Sequence, residues 1–342
     1  SPPSGTSWAA HGFVRMWPPR GRPEQNQQAE KPLPPKNQFA PTRGDATPRS
    51  PALQPAKWSA DSEYGLLREV LLASPRNLSI VPCNRVSEEA LRKGRSACSL
   101  SAGRQHRALA DLLVALGVRV RMVQPVAGLP DLAFTRDTSL MTPWGLVGLR
   151  PGAAHRRPEV DAVLATAGAS GIPLLGRVQA GRVEGGDVCL LRPGHLVIGV
   201  SGDRTDEEGA AALGGFFRQR GWTVTTTPVD PDLLHLDTHF CVVDRDLALA
   251  CEDKVDPRFL AMIRALGIRI VPVAAEEISS LGCNILSLGR ERIVSSGSAP
   301  RVDDALREFG YEVYTVPLTQ FTQCGGGVHC LTMPLSRMPG AA

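Results

Sequence analysis

The sequence of 342 residues predicts a large α/β domain whose repeated units surround an axis with pseudo-fivefold symmetry. Two observations predict this fold. From about residue 58 onward, the same succession of amphipathic helix, glycine and apolar strand occurs five times. Hairpin-like pairs of apolar runs lie between these copies. A doubly wound sheet is the alternative architecture.

In the five helix–strand copies the helix ends at a glycine, a residue that tolerates the left-handed backbone of a helix C-terminus. The copies are a helix from Arg104 with a strand at 118–123, a helix from Pro158 with a strand at 172–175, a helix from Asp206 with a strand at 222–227, and the segments 256–273 and 301–318.

Four hairpin-like segments separate the copies, each with two apolar runs around Pro, Gly or charged turn residues. They cover residues 139–150, 188–200, 240–251 and 284–297. Joined to the helix–strand copies, they give a strand, strand, helix, strand unit of roughly 40 to 50 residues, the spacing of propeller-type repeats. The opening segment 64–75 supplies another strand, and the end of the chain is expected to complete the ring.

Residues 1–57 differ from the rest in composition. They hold eight Lys or Arg against three acids, and 12 of the 29 prolines. Such a segment buries too little apolar surface to offset its ordering entropy, so it is predicted to be a disordered extension, with a targeting role as the alternative. Residues 58–342 are predicted to form a single catalytic domain. Their charge is near neutral, which argues against a nucleic-acid partner.

The hydropathy of the chain and its cysteine pattern bear on whether it spans a membrane and in which redox compartment it lies. The sequence has no stretch of about 18 or more apolar residues, the length that could span a membrane. The eight cysteines match no CxxC zinc spacing, and several lie in apolar strand-like runs, where a thiol behaves as a small hydrophobe. Without a secretion signal, we expect reduced thiols and a cytoplasmic location. No apolar surface for subunit association can be distinguished from the core positions of the repeat, so the sequence does not predict the oligomeric state, and an oligomer is possible.

Four polar clusters interrupt the repeat beside the hairpins, where a ring would bring them together. They are PDLAFTRDT (130–138), EGGDV (184–188), HLDTHF (235–240) and CGGGVHC (324–330). Each is weak alone: Asp187 suits turn capping, His235 could be a core histidine, and Cys330 could be a buried thiol.

Together the clusters supply a chemistry. A cysteine nucleophile needs a nearby base, and Cys330 with His235 and Glu184 provides a thiol, an imidazole and an orienting carboxylate. The glycines before Cys330 let backbone approach a ligand closely. Two further carboxylates, Asp137 and Asp237, are costly to bury together unless a cation lies between them, and a guanidinium fits two carboxylates bidentately.

Other kinds of site fit less well. His235 and His239 are spaced i, i+4, which shares a face only in a helix, whereas their segment alternates as a strand does. We therefore expect no metal or cofactor, and no catalytic role for His239. There is no GxSxG elbow, P-loop or GxGxxG loop.

The segments FTRDT, EGGDV, HLDT and GGGVHCLTMPL resemble, in this order, signature segments of the arginine deiminases, dimethylarginine hydrolases and amidinotransferases. The resemblance covers about residues 58–338 and implies a five-bladed α/β propeller of ββαβ units. It implies that Cys330 is the nucleophile, His235 the general acid and base, and Glu184 the group that holds His235. Asp137 and Asp237 would bind the guanidinium, and a covalent amidino-cysteine would form.

The same resemblance points to further substrate-binding residues. Arg156 and Arg204 fall where these enzymes keep an arginine for the substrate α-carboxylate, with a solvated surface charge as the alternative for Arg156. Asp131 resembles the Asp with which dimethylarginine hydrolases bind the α-amino group. Phe134, in the first motif, is also placed at the substrate.

The substrate signals are mixed. HLDT and the Arg of FTRD resemble deiminases or amidinotransferases, whereas the length and Asp131 resemble dimethylarginine hydrolases. The first hypothesis is a hydrolase converting free L-arginine to citrulline and ammonia. The alternatives are a dimethylarginine hydrolase releasing an alkylamine, an amidinotransferase passing the amidino group to an amine, and a binding scaffold without catalysis.

Overall fold

The computed structural model describes residues 57–230 and 232–339, which belong to one compact unit. The predicted extension, residues 1–57, lies outside the described residues apart from Lys57. The described strands are β1 (Leu66–Ala73), β2 (Arg119–Val123), β3 (Ser139–Thr142), β4 (Gly145–Gly148), β5 (Leu174–Arg177), β6 (Val188–Arg192), β7 (His195–Val200), β8 (Thr223–Pro228), β9 (Phe240–Asp244), β10 (Leu247–Ala250), β11 (Arg269–Pro272), β12 (Leu286–Gly289), β13 (Arg292–Ser295), β14 (Glu312–Thr315) and β15 (Met333–Met338).

Five of the helices in the described residues, α2, α3, α4, α5 and α7, lie at the predicted places, and the other four were not predicted. They are α1 (Arg85–Arg92), α2 (Ser99–Ala115), α3 (Arg157–Ala169), α4 (Glu207–Arg218), α5 (Pro257–Ala265), α6 (Ala275–Ile278), α7 (Pro300–Glu308), α8 (Thr319–Thr322) and α9 (Val328–Leu331). No helix within the described ranges is long and apolar enough to cross a membrane.

The strands form five three-stranded sheets in the described part of the chain: β3-β4-β5, β6-β7-β8, β11-β10-β9, β12-β13-β14 and β15-β1-β2. In each sheet the middle strand pairs antiparallel with one neighbour and parallel with the other. The parallel pairs are joined through α2, α3, α4, α5 and α7, as parallel strands require a crossover. This confirms the predicted α/β fold of five strand, strand, helix, strand units.

The ring closes because the last described strand joins the first. β15 pairs antiparallel with β1, from Leu66 opposite Met338 to Leu71 opposite Met333. The sheet of β1 also contacts its neighbours on both sides, through β15 with β3 and through β1 with β12. The prediction that the end of the chain completes the ring is therefore confirmed.

Two local predictions are wrong. The strand expected at 172–175 is Leu174–Arg177, because the Ile172 amide closes helix α3 on the Ala167 carbonyl and Pro173 has no N–H to donate. Of the HLDTHF segment only Phe240 is in a strand: Leu236–Thr238 is a 3-10 helix, and His239 ends it just before β9. The Leu236 amide donates to the Asp187 carboxylate instead of a neighbouring strand.

Candidate active site

The predicted site residues other than Arg156 and Arg204 lie on short segments just before β3, β6, β9 or β15. Arg156 and Arg204 lie just before helices α3 and α4. Three of these segments are 3-10 helices, Thr135–Thr138, Gly185–Asp187 and Leu236–Thr238, and they contact one another in succession. Helix α9 contacts Thr135–Thr138. The fivefold repeat thus brings equivalent chain positions to one place, near the centre of the ring.

Seven of the nine predicted site residues line a single pocket, and the other two bond to residues of that group. The lining residues are Asp131, Phe134, Asp137, Arg156, Arg204, His235 and Cys330. Glu184 bonds to His235, and Asp237 lies against Cys330. The pocket has a free volume of about 20 Å³, the space of one or two water molecules.

Cys330 lies on α9 with only 3 % of its surface exposed. Its Sγ is 3.1 Å from the Asn284 side-chain nitrogen and 3.5 Å from a carboxylate oxygen of Asp237. Burial raises the pKa of the Cys330 thiol well above its usual value, and the nearby charges of Asp237 and Asp137 raise it further. The thiol is consequently protonated when the pocket is empty.

His235 and Glu184 form a buried pair, with 2.7 Å between Nε2 and the carboxylate oxygen. Burial alone lowers the pKa of His235, but the charges of Asp137, Glu184 and Asp187 outweigh burial and raise it to about 9. The other ring nitrogen, Nδ1, has no hydrogen-bond partner among the described residues and lies 3.9 Å from Asp137. It is therefore free to exchange a proton with a ligand.

Glu184 is held by more than the histidine. It accepts hydrogen bonds from the backbone amides of Gly152 at 2.9 Å and Ala153 at 3.3 Å, and Arg204 lies 3.2 Å away. Despite complete burial, which raises it, the pKa of Glu184 is kept low by the hydrogen bond and charge of His235 and by the charges of Arg204 and Arg156. The carboxylate is thus ionised and fixed in orientation.

The glycines of EGGDV allow close packing around the imidazole. A Cβ on Gly186 would lie 2.6 Å from Nδ1 of His235, closer than real Cβ contacts allow. The Gly186 amide donates to Asp137 at 2.9 Å. Asp187 does not enter the pocket: it accepts from the Leu236 amide and the Ser201 hydroxyl, both at 2.9 Å. That turn-supporting position is the role expected for it from sequence.

Arg156 is buried at the pocket and is held by protein partners. It is 4 % exposed, so the alternative of a solvated surface charge is wrong. Its guanidinium donates to Asp137 at 2.6 Å, to Glu159 at 3.0 Å and to the Phe134 carbonyl at 2.9 Å. Because these partners engage all three of its nitrogens, Arg156 holds Asp137 and the chain at Phe134 in place.

The remaining predicted substrate-binding residues also line the pocket. Arg204 pairs with Glu184 and donates to the Cys83 carbonyl, and Asp131 lies 2.7 Å from the Nε2 of His155. Phe134 is buried, and a Cβ on Gly326 would come within 2.4 Å of its ring. The triglycine before Cys330 therefore gives room to Phe134.

Asp237 belongs to a buried charge network that sequence reasoning missed. It lies 2.8 Å from Nδ1 of His329 and 3.1 Å from the Asn284 amide nitrogen, and its other oxygen has no hydrogen-bond partner among the described residues. Nε2 of His329 lies 3.7 Å from Glu63, which faces Arg136 at 3.4 Å.

Two of these residues, Asn284 and Glu63, carry no motif of their own. Asn284 opens the fourth hairpin segment, at the repeat position that Asp137, Asp237 and Cys330 occupy in other units, and that equivalence is the signal that could have found it. Glu63 precedes β1, and only ring closure brings it near His329.

In two groups of three side chains among the described residues, possible metal-ligand atoms lie within 4.8 Å of one another. They are Asp137, Glu184 and His235, and Cys83, Asp131 and His155. In the first group Arg156 and Arg204 already supply positive charge to the carboxylates. In the second group, the charge of Arg156 acts on Asp131, and Arg204 acts on the Cys83 thiol.

Comparison with known proteins identifies relatives of this chain. The model of the family "N,N dimethylarginine dimethylhydrolase, eukaryotic" matches residues 80–337. The N(G),N(G)-dimethylarginine dimethylaminohydrolase of Pseudomonas aeruginosa is 26% identical over 67% of this chain and 86% of its own length. The arginine deiminase of Mycobacterium avium is 31% identical over 62% of this chain and 61% of its own length.

A solved structure supports the same fold. The N-terminal domain of ArgZ, an arginine dihydrolase from cyanobacteria, superposes with a TM-score of 0.70 at 22% identity, covering 79% of this chain and 97% of that one. At that identity the likeness speaks for the fold alone, a five-bladed propeller. With the family match over residues 80–337, the chain belongs to the N,N-dimethylarginine dimethylhydrolase family, a group of hydrolases that act on the C–N bonds of amidines.

Proposed function

We propose that this protein hydrolyses free L-arginine to citrulline and ammonia through a covalent intermediate on Cys330. One observation carries the proposal: the buried thiol of Cys330 lies beside two buried carboxylates, Asp137 and Asp237, whose charges act on it. A guanidinium fits this arrangement, because it is a cation that can bridge two carboxylates and present an electrophilic carbon to the thiol.

Substrate binding prepares the nucleophile. In the empty pocket, burial and the two carboxylates keep the Cys330 thiol protonated. A bound guanidinium offsets both negative charges, so it lowers the pKa of the thiol at the moment the reacting carbon arrives. The thiol releases its proton to solvent water, and the thiolate attacks that carbon. A C–S bond forms as the C=N π bond of the guanidinium breaks and its electron pair moves to nitrogen.

His235 handles the protons. Its pKa of about 9 makes it an imidazolium at neutral pH, and the free Nδ1 donates a proton to the departing nitrogen as the C–N bond breaks and ammonia leaves. The neutral imidazole then takes a proton from water as that water attacks the amidino carbon. The C–S bond breaks, Cys330 is restored, and the ureido group of citrulline is released. Glu184 stabilises the imidazolium throughout.

The amino-acid end of the substrate lies at the pocket mouth in this proposal. Asp131 binds the α-ammonium group, Arg204 binds the α-carboxylate, and Phe134 packs against the aliphatic chain. Arg156 is assigned a different part, because its donors already hold Asp137. It orients the carboxylate that binds the guanidinium.

The two carboxylates favour arginine over methylated arginines. A guanidinium held by Asp137 and Asp237 presents N–H groups to both, whereas a dimethylated nitrogen has no N–H to donate. Hydrolysis of dimethylarginine is the second candidate, favoured by the family match over residues 80–337 and by Asp131.

Steady-state assays separate these candidates. The purified protein is incubated with L-arginine and with Nω,Nω-dimethylarginine, with and without glycine or lysine, and citrulline, ammonia and dimethylamine are quantified. We expect citrulline and ammonia from arginine, with the higher kcat/KM. Faster release of dimethylamine would favour the second candidate, and amidino transfer to glycine or lysine without citrulline would exclude hydrolysis.

The mechanism has a matched control. Cys330→Ser is expected to abolish citrulline formation, and Cys98→Ser, which changes an exposed thiol outside the pocket, is expected to preserve it. Full activity in Cys330→Ser would contradict the covalent mechanism.

A further inference from the structure

We propose that Arg136 and Arg337 bind a chloride ion in a buried cavity between β3, β6 and β15. Arg136 belongs to the FTRDT motif, and Arg337 lies on β15, the strand that closes the ring. The two residues are 2% and 3% exposed and line the same cavity. Among the described residues, this cavity shares no lining residue with the reaction pocket, so the site does not rest on the proposed function.

Both guanidinium groups have donors without acceptors. In each arginine, Nε and Nη2 have no hydrogen-bond partner among the described residues. The Nη1 atoms are engaged: that of Arg337 donates to the Gly65 and Ser287 carbonyls, and that of Arg136 faces Glu63. Buried polar groups almost always have partners, and a buried charged group without them is costly. Four such nitrogens on two side chains of one cavity therefore indicate a shared acceptor.

The charges that line the cavity indicate that this acceptor is an anion. Among the described lining residues, Arg136 and Arg337 are cations and Glu63 alone is an anion. Both carboxylate oxygens of Glu63 lie 3.4 Å from Nη1 of Arg136, farther than the about 2.7–2.9 Å of a charged hydrogen bond. Burial lowers the pKa of Arg337 to about 10 against the opposing charge of Glu63, and the charge of Arg136 contributes to the lowering. One positive charge is thus left over.

Neighbouring groups do not remove this excess. Asp237 is held by His329 and Asn284, and Asp61 is half-buried and accepts from a neighbouring serine hydroxyl. Neither acid forms an ion pair with the two arginines in the described part of the chain. His329 lies 3.7 Å from Glu63, so the charge of Glu63 is shared with a third group. A small anion would offset the remaining positive charge.

The size of the cavity selects a monatomic anion. Its free volume is about 10 Å³, roughly the space of one water molecule, so phosphate, sulfate and carboxylates are too large. Chloride is slightly larger than water, and the loose contact between Arg136 and Glu63 allows the guanidinium to shift by that difference. Other lining residues, such as Leu140, Met141 and Leu190, are apolar and offer no group that competes for the ion.

Chloride at this site would join two distant parts of the chain. It would tie Arg136, which directly precedes Asp137, to the strand that pairs with β1. An ion that binds only the folded state lowers the unfolding equilibrium constant by the factor 1 + [Cl⁻]/Kd, which is about elevenfold at ten times Kd. Stability should therefore depend on chloride itself and saturate as the site fills.

The first test measures unfolding. The 342-residue chain is unfolded with urea while sodium chloride replaces sodium gluconate at constant ionic strength, so that general screening is unchanged. We expect a saturating rise in the unfolding midpoint. Arg337→Met, which removes the free donors, should lose this rise, and Arg258→Met, at an exposed arginine, should keep it. The same chloride dependence in Arg337→Met and wild type would overturn the site.

A second variant predicts the opposite sign. Glu63→Gln removes the carboxylate that competes with chloride for the arginines, so its chloride dependence should exceed that of wild type, although the variant is less stable overall. A charge network that binds no chloride predicts no such gain. Chloride dependence that is smaller in Glu63→Gln than in wild type would contradict the proposal.

Diffraction locates the ion directly and does not depend on any variant folding. Crystals of wild type grown in sodium chloride are measured at long wavelength, where chlorine scatters anomalously. We expect an anomalous peak between the guanidinium groups of Arg136 and Arg337. Peaks at the surface alone would overturn the site. If neither arginine nor dimethylarginine is turned over, the proposed function fails, while the unfolding and diffraction measurements still decide whether chloride binds.

Discussion

The side-chain amide of Asn284 lies 3.1 Å from the thiol of Cys330 and bonds to the Asp237 carboxylate at the same distance. Its carbonyl oxygen accepts from the His329 amide at 3.0 Å. One side chain therefore positions the proposed nucleophile, a proposed guanidinium ligand and the backbone that carries the nucleophile.

Asn284→Ala should lower kcat with little change in KM. The lost hydrogen bond goes to a sulfur that becomes charged in the reaction, and such bonds are worth about 1.5–3 kcal/mol, or roughly 10- to 150-fold in rate. Steady-state kinetics with arginine measure the effect. Asn77→Ala, whose side chain bonds only to the distant Val126 carbonyl, is the control and should leave kcat unchanged. An unaltered kcat in Asn284→Ala would exclude the positioning role.

His235 should make stability depend on alkaline pH. Its pKa is raised from 6.5 to about 9, so its charged form is favoured in the folded state. The resulting stabilisation, about 3 kcal/mol, is complete below about pH 6.5 and is lost as pH rises through about 9. Urea unfolding of wild type and His235→Gln at about pH 6 and about pH 10 measures it. The difference in unfolding free energy should shrink at the higher pH, and a constant difference would contradict the assignment.

Cys330 should prefer cationic alkylating reagents. The carboxylates beside it oppose the thiolate but attract a positive group, so 2-chloroacetamidine should react faster relative to neutral iodoacetamide at Cys330 than at exposed Cys98. Peptide mass spectrometry after timed exposure gives both rates in one sample. Asp237→Asn should reduce the preference at Cys330 alone. Equal reagent ratios at the two thiols would argue against an electrostatic role for the carboxylates.

Glu63 should be important for stability. It is buried between Arg136 and His329, and removal of one member of a buried charge network leaves the others uncompensated. Glu63→Gln is expected to lower the unfolding free energy by about 3 kcal/mol in urea titrations. Glu89→Gln removes a carboxylate from a surface pair with Lys93 and should have a much smaller effect. Similar losses in both variants would show that the network is not coupled.

Gly326→Ala should reduce activity by displacing Phe134. The added Cβ would lie 2.4 Å from the Phe134 ring and 3.2 Å from the Cβ of Cys330. We expect a higher KM and a lower kcat in steady-state assays. Gly168→Ala, in helix α3 with open space around the added Cβ, is the control and should preserve both constants. Normal kinetics in Gly326→Ala would mean that Phe134 does not need its present position.

The sequence predicts elements that local patterns determine. The five helix–strand copies, the hairpins and the closure of the ring follow from periodicity and glycine stops, and all are present. At residues 236–238, however, a side chain distant in sequence decides the backbone: the Asp187 carboxylate takes the Leu236 amide, and the strand pattern is overridden.

The candidate site likewise contains residues that the sequence predicts and residues that it does not. Residues within polar motifs, such as His235 and Glu184, stand out against an apolar repeat. Asn284 and Glu63 do not, because each is a single polar residue beside apolar strands and acquires partners only through the closed ring. For Arg156 the sequence predicted a place at the site but not its partners. Its guanidinium nitrogens all donate to Asp137, Glu159 and a backbone carbonyl, and these contacts depend on packing that no local pattern encodes.

Closure of the ring by β15 affects when the protein can complete its folding during translation. Cys330 lies on α9, directly before the strand that pairs with β1. During synthesis on the ribosome, one edge of β1 therefore has unpaired backbone N–H and C=O groups until almost the last described residue has emerged. A strand with such an edge is prone to aggregation. A chain truncated before Cys330 lacks both the closing strand and the thiol, so the pocket cannot become reactive before the ring can shut.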